Sequence, residues 1–297
     1  MDRTRGALLA VASALSYAVT IVVGRSLAKA GLGPDTVLGI RFSLGGAILL
    51  AVLLIRRGPL LPAPGERLAA MLLGLVGYGT ESTLFYLGLE HGTAAAVTLL
   101  FYAYPALVTV YELVTGRARQ RGRQLSALLL AGAGLALVVG AGSSLSISRV
   151  GVLFALGSAT TFAIYLVLSH RLLRISPALP VAAWTASGAG ISFLARGVAF
   201  DAFSSPAGHW PVLLLNGVAT SSAFFFMYAA LRRLGPRRTG VVMTLEALFA
   251  VVLGAVALGE SVNALQAVGG LAVLAAAALT AAERQADGAE AAPAAGP

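Results

Sequence analysis

The 297-residue sequence is 58% hydrophobic and only 11% charged, with a mean hydropathy of +0.87; soluble domains carry roughly a quarter charged residues, so water is excluded as the main solvent. The formal charge of +9 sits on arginines clustered between apolar stretches, not along one helix face, which argues against a nucleic-acid surface and makes them topology signals. The absence of cysteine excludes disulfides and thiolate chemistry, and His91, His170 and His209 are scattered far apart, so no metal or other cofactor is expected.

A helix needs about 20 mostly apolar residues to cross a hydrocarbon core of about 30 Å. Uncharged runs between arginine clusters and Pro/Gly breaks predict ten such helices. The first, 6–28, follows Met1-Asp2-Arg3-Thr4-Arg5 and has the look of a secretion signal. A shift of 145 positions places Gly6, Leu8, Ala10, Ser13, Ala14, Ala18, Val22 and Leu27 on Gly151, Leu153, Ala155, Ser158, Ala159, Ala163, Val167 and Leu172. A segment with an internal copy deep in the chain is expected to be retained as a helix. Its face carries Ser13, Ser16, Thr20 and Gly24, with Tyr17 assigned to the same site.

The second helix, 34–55, holds Arg41, and the third, 67–89, carries Tyr78, Glu81, Ser82 and Phe85. Arg41 and Glu81 lie at similar depths from one end, which predicts an ion pair holding the half together or touching solute. The run Val76-Gly77-Tyr78-Gly79-Thr80-Glu81 looks like a potassium-channel filter, but it falls inside a spanning helix with no pore loop before it, against that reading. The fourth helix, 93–115, offers Thr98, Tyr102, Pro105 and Thr109, and Pro105 predicts a kink useful for gating. In the fifth, 123–143, Gly132, Gly134 and Gly140 suit close packing.

The second half repeats the pattern. Helix six, 150–171, carries Ser158, Thr161, Tyr165 and Ser169 at the offset of the helix-one stripe. Helix seven is 177–197. Helix eight, 210–232, offers Asn216, Thr220 and Phe224, and helix nine, 238–259, offers Thr239, Met243, Glu246 and Ala250. Helix ten, 261–282, contains Gly269 and Gly270. Glu246 falls near mid-membrane with no cationic partner evident, whereas Glu112 and Glu260 lie near helix ends and are expected to be solvated.

The expected fold is therefore an all-α membrane protein of two five-helix repeats, 1–145 and 146–283, followed by an Ala/Pro/Gly-rich tail, 284–297, read as disordered and cytoplasmic. Five is odd, so the two copies enter the membrane from opposite sides. With both termini inside, sixteen Lys and Arg residues fall in cytoplasmic segments and four outside, with Arg41 inside a helix. Inverted repeats are known in secondary transporters, whose solute site lies near the midplane between the copies.

Pro34-Asp35-Thr36-Val37-Leu38-Gly39-Ile40-Arg41-Phe42 is similar to the second helix of the EamA-type branch of the drug/metabolite transporter superfamily. Thr244-Leu245-Glu246-Ala247-Leu248-Phe249, Leu258-Gly259-Glu260 and Gly269-Gly270 resemble that family's ninth and tenth helices, with Tyr104-Pro105-Ala106-Leu107 and Thr115-Gly116-Arg117 as first-half counterparts. Two positions depart: Ala247 stands where the family usually has proline, and Arg117 where it has glutamate. The resemblance implies helices one, three, four, six, eight and nine around a transport path, and a look nearest to bacterial exporters of amino acids, aromatic ones included.

The expected site is a central cavity lined by the stripes above, with Arg41 and Pro105 as gating or structural residues. Small polar residues also glue membrane helices together, which is their commoner use. Tyr78, Tyr86, Tyr102, Tyr104, Tyr165 and Tyr228 suit an amphipathic solute. The expected partners are a small solute, most readily an amino acid, and the lipid bilayer of a bacterial inner membrane, with no nucleic acid; the oligomeric state stays open and a monomer suffices. Coupling to protons through Glu81 or Glu246 and simple facilitated export both fit. A sugar-phosphate, nucleotide-sugar or drug carrier is the alternative within the superfamily; a channel or intramembrane enzyme is disfavoured, the latter because no nucleophile, metal or paired acids share one depth.

Overall fold

The computed structural model describes residues 2–115, 122–140, 146–258 and 263–282. They are helical almost throughout: α1 (Asp2–Lys29), α2 (Pro34–Ile55), α3 (Arg67–Leu72), a π-helical turn (Leu73–Tyr78), α4 (Gly79–Glu90), α5 (Ala94–Phe101), α6 (Tyr104–Val114), α7 (Gly122–Gly140), α8 (Arg149–Leu172), α9 (Ala178–Ala199), α10 (Trp210–Met243), α11 (Leu245–Leu258) and α12 (Ala264–Ala282). Seven stretches among the described residues are long and apolar enough to cross a bilayer; the apolar parts of α7, α11 and α12 are shorter. Gly116, Arg117, Gly259, Glu260 and the tail 284–297 lie outside the described residues, as does the boundary between the proposed repeats.

Four predicted helices differ in detail. The third is continuous from Arg67 to Glu90 but widens into the π turn at Leu73–Tyr78. The fourth is broken: α5 stops at Phe101 and α6 restarts at Tyr104, because Pro105 has no N–H to offer the Phe101 carbonyl. The eighth and ninth run together in α10, divided by Gly235 at φ 77° with Pro236 restarting the helix. Only glycine adopts that left-handed turn without strain. A second break at Thr244 separates α10 from α11.

The bundle is turned inside out relative to a soluble protein. Leu8, Leu153, Val256 and Leu271 stand on its exterior, more than half exposed, among many other large apolar side chains, a surface suited to acyl chains. Its interior is rich in alanine, glycine and hydroxyl residues. α1 packs on α10 and α11, α2 on α9 and α10, α4 on α8, the π turn on α9, and α7 on α12. Small residues let backbones approach: a methyl group at Gly134 would lie 2.7 Å from the Gly269 carbonyl oxygen, so these two glycines form the α7–α12 crossing.

The loop 91–93 pairs with 146–148 through Thr93 N–H to the Ser146 carbonyl (2.8 Å) and Ser148 N–H to the His91 carbonyl (2.9 Å). At the same end of the bundle Arg196 of α9 pairs with Asp35 of α2 at 2.5 Å and donates to Thr83 Oγ1 of α4 at 2.6 Å. Arg196→Ala leaves a partly buried carboxylate without its partner, and losing one side of a fully buried pair costs about 3–5 kcal/mol. With this pair partly hydrated, a smaller loss, about 1–2 kcal/mol, is expected, read as a lower thermal midpoint in detergent that Arg196→Lys restores in part.

Candidate functional site: a polar cavity inside the bundle

A cavity of about 630 Å³ lies between the helices, within the range that holds small ligands. Its deep part is walled by Tyr17, Tyr78, Phe101, Tyr102, Tyr104 and Phe162. Its outer part runs past Ala28, Leu32, Pro34 and Leu89 to the end of the bundle remote from the amino terminus. Ala28 and Pro34 are exposed there, so that end is the mouth. The charged lining consists of Arg25, Arg41, Glu81 and Glu246.

Behind the Tyr78 wall the bundle is packed solid. Phe42, Tyr78, Phe193 and Phe224 form an aromatic cluster, with ring centroids 5.0 Å apart for Phe42 and Tyr78 and 5.5 Å for Phe42 and Phe224. Tyr228 is the hub of a buried hydroxyl network, 2.8 Å from Tyr165 and 3.3 Å from Ser169, and it donates to Thr185 at 3.0 Å. Nearer the amino-terminal end, Tyr104 donates to the Gly240 carbonyl at 3.3 Å, and Glu112 pairs with Arg237 at 3.4 Å. Glu112 is thus held in a half-buried ion pair between α6 and the second rod of α10, where sequence alone suggested a solvated acid.

Of the residues singled out in the sequence, the structure brings Tyr17, Thr20, Arg41, Tyr78, Glu81, Ser82, Phe85, Thr98, Tyr102, Met243 and Glu246 to the cavity wall. Others face elsewhere. Ser13 donates to the Ala223 carbonyl across the α1–α10 contact, and Ser16 and Thr161 donate to carbonyls one turn back in their own helices. Ser158 donates to Glu81 Oε1 at 3.1 Å from behind the wall, and Tyr165 belongs to the hydroxyl network. Pro105 packs against Gly240. The helix-eight face does not line the cavity: Asn216 and Thr220 are buried with their side-chain polar atoms unpaired, and Phe224 lies in the aromatic cluster. Wall positions on α2 replace it, namely Pro34, Val37 and Leu38 beside Arg41, and α12 adds Gln266.

The expected Arg41–Glu81 ion pair is not formed. Glu81 instead accepts hydrogen bonds from Ser82 (2.9 Å) and Ser158 (3.1 Å), one on each oxygen. These hydroxyls satisfy the carboxylate locally, and Arg41 is left with its guanidinium over the neighbouring Phe42 ring at 4.5 Å and its buried Nε without a partner. Both acids still lie within electrostatic reach of Arg41.

The fold has known parallels. A crystal structure superposes on this chain with a TM-score of 0.82 at 20% identity, covering 93% of this chain and 96% of the other. The model of the EamA-like transporter family matches twice, at residues 4–140 and 149–282. The chain is 25% identical over 251 residues to an uncharacterized transporter, YcbK, of Bacillus subtilis, covering 80% of each. It is also 28% identical over 267 residues to the threonine/homoserine exporter RhtA of Salmonella typhimurium, covering 86% of each. An uncharacterized transporter of Archaeoglobus fulgidus is 26% identical over 261 residues, covering 85% of this chain and 89% of the other.

A helical bundle with an apolar exterior around a polar, charged cavity is the arrangement of a multi-pass membrane transporter. The chain belongs to the EamA-like transporter family.

Proposed function

We propose that the protein exports amino acids across a bacterial inner membrane by alternating access, with ten spanning helices arranged as two inverted repeats around the cavity. The observation that carries this is the cavity itself, open at one end and closed at the other, with charged residues from each half: Arg25, Arg41 and Glu81 from the first, Glu246 from the second.

The two matched segments support the duplication. So does the pairing of helices, for α1 with α10 and α4 with α8 exchange roles under a twofold that also relates α1–α11 to α8–α6 and maps α2–α9 and α7–α12 onto themselves. The breaks at Tyr102 and Thr244 fall at matching places in the two halves. The arginine bias supports both termini lying in the cytoplasm, with the mouth at Ala28 and Pro34 facing outward. The amino-acid assignment draws on the exporter relative and on a lining whose formal charges cancel. A phosphate ester would want an excess of cations, whereas the two carboxylates here offset Arg25 and Arg41, which disfavours that alternative.

Two measurements test it. Purified protein in liposomes is expected to show saturable counterflow of at least one of the twenty proteinogenic L-amino acids; absence of counterflow with all of them removes the amino-acid reading. The cysteine-free chain also permits background-free mapping. Ala28→Cys and Thr98→Cys are expected to react with an impermeant maleimide added outside intact cells, and Ser169→Cys is not; labelling of Ala28→Cys only from inside-out vesicles would reverse the orientation.

A further inference from the structure

Resting on that reading, two of the cavity's charges are set apart from the others. Glu81 has each carboxylate oxygen occupied by a serine hydroxyl, and Arg25 is already engaged with another group. Arg41 and Glu246 have neither an ion-pair nor a hydrogen-bond partner among the described residues, yet both line the same cavity. They do not pair with each other. An ionised group within a membrane is costly unless paired or wet, so a cation and an anion left separate across one chamber form a site awaiting opposite charges.

We propose that Arg41 and Glu246 are the two poles of a zwitterion clamp. The Arg41 guanidinium receives the solute's α-carboxylate, a geometry its forked donors suit, and the Glu246 carboxylate receives the α-ammonium. The remainder of the solute then lies against Phe101, Tyr102 and Phe162, whose apolar rings place little demand on side-chain polarity. Recognition is thereby vested in the end common to all amino acids, and the tolerant wall sets a broad range of side chains. The poles sit on α2 of the first half and α11 of the second, so one bound solute bridges both halves.

The test uses the full-length protein and begins without any substitution. Each of the twenty L-amino acids is assayed for thermal protection of the purified protein and for counterflow. For every one that binds, the N-acetyl derivative and the carboxamide derivative are compared with it. Each derivative deletes one charge and is expected to bind about ten- to a hundredfold more weakly, the value of one charge-assisted hydrogen bond. Glu246→Gln is expected to erase the penalty of N-acetylation while keeping that of the amide, and Arg41→Gln the reverse. If an amino acid binds but both its derivatives bind as well as it does, the clamp is wrong and amino-acid export still stands. If the penalties persist unchanged in the two variants, the poles are assigned to the wrong residues. If no amino acid protects the protein or exchanges, the clamp and the function beneath it fall together. The derivative series on the unaltered protein decides the matter even where a variant does not fold.

Discussion

Gly74→Ala is expected to prevent this protein from assembling into a stable monodisperse species. A methyl group at Gly74 would overlap the carbonyl oxygen of Thr185 and lie 2.8 Å from the amide nitrogen of Ala189. The obstruction is backbone, which cannot rotate aside as a side chain can. On the other side of the same crossing, a methyl group at Gly188 would overlap the Met71 carbonyl oxygen, so α9 and the π turn are already at closest approach. Overpacking a well-filled interior costs typically about 1–3 kcal/mol, and a clash with backbone on a long crossing belongs at or above the top of that range. Gly132→Ala is the control, since a methyl group there meets nothing and alanine is the better helix former. Thermal midpoints and elution profiles in detergent should separate the two by several degrees or by outright loss of the folded peak; equal behaviour would mean the α9 crossing is looser than its geometry.

Glu246→Gln is expected to leave the protein folded and to lower counterflow by about one to two orders of magnitude, the consequence of replacing a charge-assisted contact worth about 1.5–3 kcal/mol with a neutral one. The protein should stay folded because no hydroxyl or cation among the described residues depends on this carboxylate. Glu81→Gln should behave in the opposite sense. It exchanges one acceptor oxygen for an amide that donates, against serines that now donate to it, so the loss appears first in the thermal midpoint. Measuring midpoint and flux on both variants distinguishes a group that meets solute from one that braces the wall. A Glu246→Gln protein with full flux at saturating and at limiting solute would remove this residue from the transport path.

Hydropathy made the helices legible because lipid as solvent leaves little choice: long apolar runs must be helical, and arginine clusters must lie between them. Pro105 announced the break in the fourth helix for an equally local reason, its missing N–H. The site was legible only as a set of polar faces. Periodicity shows that Ser13, Ser16, Thr20 and Tyr17 lie near one side of α1, but not which neighbour that side meets. Thr20 and Tyr17 reached the cavity, while Ser13 spent its hydroxyl on the Ala223 carbonyl of α10. Asn216 and Thr220 were equally good candidates by pattern, yet the close approach of α1 and α2 to α10 closes over them. Depth matching suggested Arg41 for Glu81, but depth carries no azimuth, and Ser158 from the other half occupies the place an arginine would have taken. The apolar wall positions Val37 and Leu38 gave no signal, because an apolar residue facing a cavity and one facing lipid read alike. Asp35 and Arg196 are 161 positions apart in the chain, and no local pattern joins them.

The corner at Gly235 and Pro236 bears on how the chain may be cut or extended. Gly6 of α1 lies directly beneath it, with a methyl group there reaching Arg233 and Leu234 at 3.0 Å. The polypeptide turns from one rod into the next within Gly235 and Pro236, so a protease site or epitope tag inserted between Leu234 and Arg237 would disturb the seat of Gly6 against Arg233 and Leu234. Between Arg57 and Glu66 the connection is longer and mostly open to solvent. Splitting the protein into separately expressed fragments, or threading a reporter into it, therefore has a natural address in that earlier loop and none at the later corner.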